Sequence, residues 1–147
     1  MPMTSGAILT GGHARRFGGR DKSRLSVDGR SILARQLGAL APVTDDILLV
    51  GGPLDRPVPG SSTPFRSVSD RVPDCGPLGG LEAALAEARG AAVIVLACDM
   101  PFVTSALLGH LATLVGGADA VVPRTERGYH PLCAVYTRAC REVVSRR

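Results

Sequence analysis

Three short apolar stretches constrain this chain more than any other feature: Ser5-Gly6-Ala7-Ile8-Leu9-Thr10, Ile47-Leu48-Leu49-Val50 and Ala92-Val93-Ile94-Val95-Leu96-Ala97. None alternates polar with apolar residues, as a strand with one wet face would. Each stops at a turn-forming segment: Gly11-Gly12, Gly51-Gly52-Pro53 or Cys98-Asp99-Met100-Pro101. Continuous apolar runs of this length, bounded in this way, suit strands covered on both faces, as in a parallel sheet. Between the first two, residues 30–40 place Ile32, Leu33, Gln36, Leu37 and Leu40 at helical spacing, with Pro42 as the stop. Strand, helix and strand form a βαβ unit, so the sheet is at least partly parallel.

The remainder continues the alternation. A Pro-, Gly- and Ser-rich surface loop is expected over residues 52–64, then a short strand at 65–69. Gly76-Pro77-Leu78-Gly79-Gly80 leads into an Ala-rich helix at 81–89 that Gly90 ends. After the strand at 92–97, Met100-Pro101 keeps the chain extended and a helix with Thr104 as its N-cap covers 104–115. Strands at 118–123 and 132–136 and a helix at 138–147 complete the pattern. The expected fold is a three-layer α/β/α sandwich with a mostly parallel sheet, with ligands at the carboxyl ends of the strands.

With 147 residues, one domain spanning 1–147 is expected. No apolar run approaches the roughly 18 to 20 residues needed to cross a bilayer, and the first residues lack the pattern of a secretion signal. A cytoplasmic protein without membrane partners is therefore expected. Cys75, Cys98, Cys133 and Cys140 have no paired zinc-ligand spacing and read as buried free thiols. The net charge of +4 comes with only 3% aromatic residues and no continuous basic stripe, which argues against nucleic acid. Arg15, Arg16, Arg20, Lys22 and Arg24 cluster within ten positions, a pattern better suited to a small polyphosphate.

Three loops at the expected carboxyl edge carry the polar residues: 10–24, 70–80 and 98–103. In the first, Gly11, Gly12, Gly18 and Gly19 permit close backbone approach to phosphate oxygens, while Arg16 and Lys22 supply charge. The loop matches neither GxxxxGK[ST] nor GxGxxG, and glycines alone would equally suit an ordinary tight turn. Asp99 follows a buried strand directly, so its carboxylate must meet solvent, a cap or a metal; with Thr104 the better cap, a Mg²⁺ role is favoured. Asp70 reads equally as a turn residue or a second acidic ligand. His130 reads as a positioning residue, and His13 and His110 receive no role.

Leu-Thr-Gly-Gly-His-Ala-Arg-Arg-Phe-Gly-Gly-Arg-Asp-Lys at 9–22, Asp70 before Gly-Pro-Leu-Gly-Gly at 76–80, Cys-Asp-Met-Pro at 98–101 and His-Pro-Leu-Cys-Ala-Val-Tyr at 130–136 occur in this order. Together these blocks resemble the molybdenum cofactor guanylyltransferases, a branch of the nucleotidyltransferases with a Rossmann-like fold. That resemblance implies transfer of GMP from GTP to molybdopterin with release of pyrophosphate; the alternatives are a cytidylyltransferase or sugar-phosphate nucleotidyltransferase of the same fold, or a non-catalytic nucleotide- or cofactor-binding relative. It places Leu9, Thr10, Gly11 and Gly12 along the nucleotide, Arg16 and Lys22 on its phosphates, Asp70 against the nucleotide and Asp99 on Mg²⁺. Gly18 and Gly79 are further candidates for nucleotide contact. Thr10 stands where Ala is common, and Gly51-Gly52 where an Asn is often found. Members of the family usually continue past the helix that follows the last block, so the chain is expected to be short at its carboxyl end. A molybdopterin-delivering protein and a recipient molybdoenzyme are the implied partners.

Overall fold

The computed structural model describes residues 3–10, 16–17, 20–21, 26–27, 30–51, 58, 61–68 and 77–145. Its centre is a six-stranded sheet of β1 (Thr4–Leu9), β2 (Asp46–Val50), β3 (Arg66–Val68), β4 (Ala92–Ala97), β5 (Ala120–Val121) and β6 (Cys133–Thr137), in the order β3-β2-β1-β4-β6-β5. β1 pairs in parallel with both β2 and β4, and β2 in parallel with β3. β6 runs antiparallel to β4 and β5. The mostly parallel sheet expected from the three apolar runs is present.

The strands are apolar on both faces because both faces are covered. Ile8, Ile47, Leu49, Ile94, Leu96 and Val135 point to one side, where they pack with Leu33, Leu37 and Leu40 of α1 (Ile32–Leu40) and Leu108 and Leu111 of α3 (Ser105–Thr113). Ala7, Leu9, Leu48, Val50, Val93 and Val95 point to the other, against Leu81, Ala84, Leu85 and Ala88 on and just beyond α2 (Pro77–Glu87), with Cys140 of α4 (Cys140–Ser145) at the margin. Alternate residues of each strand thus feed two separate cores, giving the three layers.

Several boundaries differ from expectation. α2 begins at Pro77, so Gly79 and Gly80 lie inside its first turn rather than in a preceding loop. Proline's restricted φ suits a helix start, and both glycines are buried there. Pro42 does not stop the chain at once: Ala41–Val43 tighten into a 3₁₀ turn, which tolerates the missing N–H. Val58, inside the stretch expected to be a surface loop, is buried in the α1 core. The strand expected at 118–123 is paired only at Ala120–Val121, and the chain then forms a small hairpin of Arg124–Thr125 with Gly128–Tyr129. Gly128 has φ 106°, where a side chain would be strained. Residues 98–102 turn rather than extend. Thr104 caps α3 as expected, accepting from the Leu107 N–H at 3.1 Å. Ser31 caps α1 in the same way.

At the amino edge of the sheet one carboxylate ties four segments together. Asp46, 9% exposed, accepts from the Ser5 hydroxyl at 2.8 Å, from Arg66 at 2.9 and 3.2 Å, and from the Arg89 N–H at 3.1 Å. The Ser5 hydroxyl in turn accepts from the Gly90 N–H at 2.9 Å. Burial pushes the Asp46 carboxyl up, but the hydrogen bonds from Arg66, Arg89 and Ser5 and the Arg66 charge outweigh it and hold the group at about 2, below the ordinary 3.8.

A folded-state value below the unfolded one makes this stabilisation, roughly 1 to 2 kcal/mol after allowance for solvent at Arg66, fully present above pH 3.8. It is lost as pH falls through about 2. Urea melts from pH 6 to 2 should show Asp46→Asn as less stable than wild type at pH 6, with the gap closing at the acid end. Gly90→Ala should be more damaging, because its Cβ would sit 2.6 Å from the Ser5 nitrogen and 2.7 Å from the Met3 carbonyl oxygen, both backbone atoms. A loss of about 2 kcal/mol or more is expected in the same denaturant assay.

Candidate active site

The strands end together at the opposite edge. Leu9 lies beside Val50 on one flank and Ala97 on the other, so the segments leaving β1, β2 and β4 start side by side. β2 lies on one side of β1 and β4 on the other, so the strand order reverses here, the place where the crevice of an open α/β sheet takes its ligands. β6, being antiparallel, begins at this edge: the Ala97 N–H donates to the Leu132 carbonyl at 2.9 Å, bringing residues 130–132 beside the end of β4.

Thr10 is 1% exposed, and both its N–H and its hydroxyl donate to the Val50 carbonyl, at 2.8 and 2.9 Å. Its side chain is therefore committed to the sheet, and Leu9 packs its own into the α2 core. Either residue can meet a ligand only through its backbone. The next strand end is tied similarly, with the Gly51 N–H on the Val68 carbonyl at 2.8 Å.

Beyond β4, Cys98 is buried and Met100 packs against the α1 core, while Asp99 between them is exposed. The turn thus presents one carboxylate to solvent at the crevice. α1 reaches this turn through two successive residues: the Gln36 amide hydrogen-bonds to backbone carbonyls, and the Arg35 guanidinium lies 6.0 Å from the Phe102 ring centroid. Across the edge, the His130 ring nitrogen Nε2 and the Thr125 hydroxyl are 2.8 Å apart, and the His130 N–H donates to the Pro123 carbonyl at 2.9 Å. The Tyr136 hydroxyl donates to the Pro131 carbonyl at 2.6 Å. These bonds suit the positioning role read for His130.

Arg16 falls in a two-residue antiparallel pairing with Arg20–Asp21. Gly11, Gly12, Gly18, Lys22 and Asp70 lie outside the described residues. Among the described residues no cluster of three His, Cys, Asp or Glu side chains is set to hold a metal, and no helix is long and apolar enough to cross a membrane. Cys98 and Cys133 are buried free thiols and Cys140 is half-buried. Burial pushes the Cys133 thiol up, consistent with a structural residue. Gln36, read from sequence as part of an apolar helix face, is the site-adjacent polar residue the periodicity concealed.

The MobA-like NTP transferase domain matches residues 6–147. This chain belongs to that family. It is 37% identical to the molybdenum cofactor guanylyltransferase of Desulfosudis oleivorans over 99% of this chain and 71% of the relative. With the probable molybdenum cofactor guanylyltransferase of Pelotomaculum thermopropionicum the identity is 36%, over 95% of this chain and 66% of the relative. The chain therefore spans about two thirds to seven tenths of the length of these relatives. Among solved structures, molybdopterin-guanine dinucleotide biosynthesis protein A from Archaeoglobus fulgidus superposes with a TM-score of 0.74 at 24% identity, covering 97% of this chain and 71% of the other. Rv0371C of Mycobacterium tuberculosis, solved in complex with manganese, superposes with a TM-score of 0.72 at 21% identity, covering 99% and 76%. These structures share the nucleotidyltransferase fold, and the resemblance drawn from the four sequence blocks is borne out by the family match and the curated relatives.

In this nucleotidyltransferase the second hydrogen bond made by Thr10 is dispensable to the architecture, because its N–H already holds the Val50 carbonyl. Thr10→Ala should fold and lose only about 1 kcal/mol in a urea melt, with GTP binding retained by calorimetry.

Proposed function

We propose that residues 1–147 act as one guanylyltransferase domain in the cytoplasm, moving GMP from GTP onto the phosphate of molybdopterin and releasing pyrophosphate. The observation that carries this reading is the shared carboxyl edge, where the Gly-rich segment after β1 starts beside the Asp99 turn after β4. The names of the curated relatives supply the reaction.

In this reading the parts such a reaction needs gather at the crevice. Backbone groups of Leu9, Thr10, Gly11 and Gly12 lie along the nucleotide, with Gly18 and Asp70 as further contacts. α2 follows β3, so its first turn, containing Gly79, opens at the same edge and offers N–H groups to an anion. A terminal phosphate oxygen of molybdopterin attacks the α-phosphorus of GTP in line. The new P–O bond forms as the α–β phosphoanhydride breaks, and the electron pair leaves on pyrophosphate. The attacking oxygen is already anionic near neutral pH, so no side chain has to remove a proton. Arg16 and Lys22 neutralise charge on the departing pyrophosphate.

Asp99 is the residue that would hold Mg²⁺. An exposed, hard oxygen donor at the crevice fits this ion, which commonly takes one or two carboxylates and completes its shell with phosphates and water. When bound, the cation supplies charge neutralisation for the phosphates. Two further parts of the reading are a protein that delivers molybdopterin and a molybdoenzyme that receives the product.

Calorimetry of GTP, CTP and ATP with Mg²⁺ should show selective GTP binding; a preference for CTP would move the assignment to a cytidylyltransferase. Lys22→Ala and Asp99→Ala should each lower turnover by roughly 100-fold or more at an unchanged melting temperature. Wild-type turnover in either variant would remove that residue from the site.

A further inference from the structure

Gln36 is out of place in its surroundings. It lies on the core face of α1 among Leu33, Leu37 and Leu40, and is 0% exposed. Its Nε2 donates to the Ala97 carbonyl at 2.6 Å and to the Met100 carbonyl at 3.3 Å. Because both partners are acceptors, the amide orientation is dictated by chemistry: NH₂ toward the turn, Oε1 away from it. Among the described residues Oε1 has no hydrogen-bond partner, although it is buried. An apolar side chain here would avoid burying an unpaired acceptor. The two bonds on the other end of the amide are what the residue supplies.

Those bonds have a specific target. Ala97 is the last residue of β4 and Met100 ends the stretch that carries Asp99, so one NH₂ group gathers the carbonyls on both sides of Cys98-Asp99. Packing adds to this hold, with Cys98 buried and Met100 partly buried against the α1 core. We infer that Gln36 is a positioning residue: it clamps the 97–100 turn so that the Asp99 carboxylate stands at the crevice in the geometry a divalent cation requires. This inference rests on the reading of Asp99 as the cation-holding residue.

The test uses the full chain with Gln36→Met, which keeps volume while removing both ends of the amide, and Gln36→Leu as a second apolar replacement. Mn²⁺ is titrated into the GTP-bound protein and half-saturation is read from water-proton relaxation. Melting temperature and GTP affinity without metal are measured alongside, and Asp99→Asn is run in the same series. At least one Gln36 variant should melt within about five degrees of wild type and bind metal-free GTP as wild type does. In that variant half-saturating Mn²⁺ should rise about tenfold, the usual scale for losing a group that orients a ligand. A folded variant with wild-type Mn²⁺ half-saturation overturns the inference, provided Asp99→Asn abolishes Mn²⁺ binding. If Asp99→Asn binds Mn²⁺ normally, the Asp99 reading fails and the inference falls with it. Loss of fold in both Gln36 variants overturns it in favour of a purely structural role.

Discussion

The Asp46 carboxylate is the point on which the rest of this architecture depends. It sits at the start of β2 and receives hydrogen bonds from β1, β3 and the segment between α2 and β4. A parallel strand pair has no hairpin to set its register, and apolar side chains alone penalise a one-residue slip through burial without fixing the strand ends. A buried carboxylate is more demanding, because leaving it unpaired costs several kcal/mol. Satisfying it fixes where β1, β2 and β3 begin, and therefore where they finish. The crevice at the far edge inherits its alignment from this network.

Function at that edge then follows from topology as much as from side chains. β1 is paired on both flanks, so the segments after β1, β2 and β4 emerge together, while the reversed β6 returns residues 130–132 to the same place. Thr10 and the neighbouring strand ends satisfy one another's backbone groups, leaving a hydrogen-bonded floor. Asp99 projects from that floor between buried Cys98 and partly buried Met100. Such an arrangement suits phosphoryl chemistry, where positioning and charge neutralisation carry more of the rate than proton transfer.

Much of this was legible in the chain itself. Continuous apolar runs announced doubly covered strands; Thr104 and Pro42 marked helix boundaries to within a turn, and the ordered sequence blocks identified the family. Other features were not legible because they depend on contacts that no local pattern encodes. The Pro77 start of α2 overrode two glycines that read as loop, and both are buried. The expected extended segment is instead a turn at 98–102, whose Met100 carbonyl accepts from Gln36 of α1, 64 positions away. Gln36 fitted the helical period of the core face, so its position concealed its chemistry.

The sequence by itself determined the layers, the alternation of strands and helices, the family, and which residue types could serve a polyphosphate and a hard cation. Periodicity and turn chemistry are local properties, and they survive without knowledge of what packs against what. The tertiary structure alone decided the strand order, the Asp46 network joining residues 41 positions apart, and the Gln36 bond across 61 positions to the end of β4. Those are hydrogen bonds between groups that meet only after the sheet has assembled. Their value comes from burial, which no residue possesses until the others surround it.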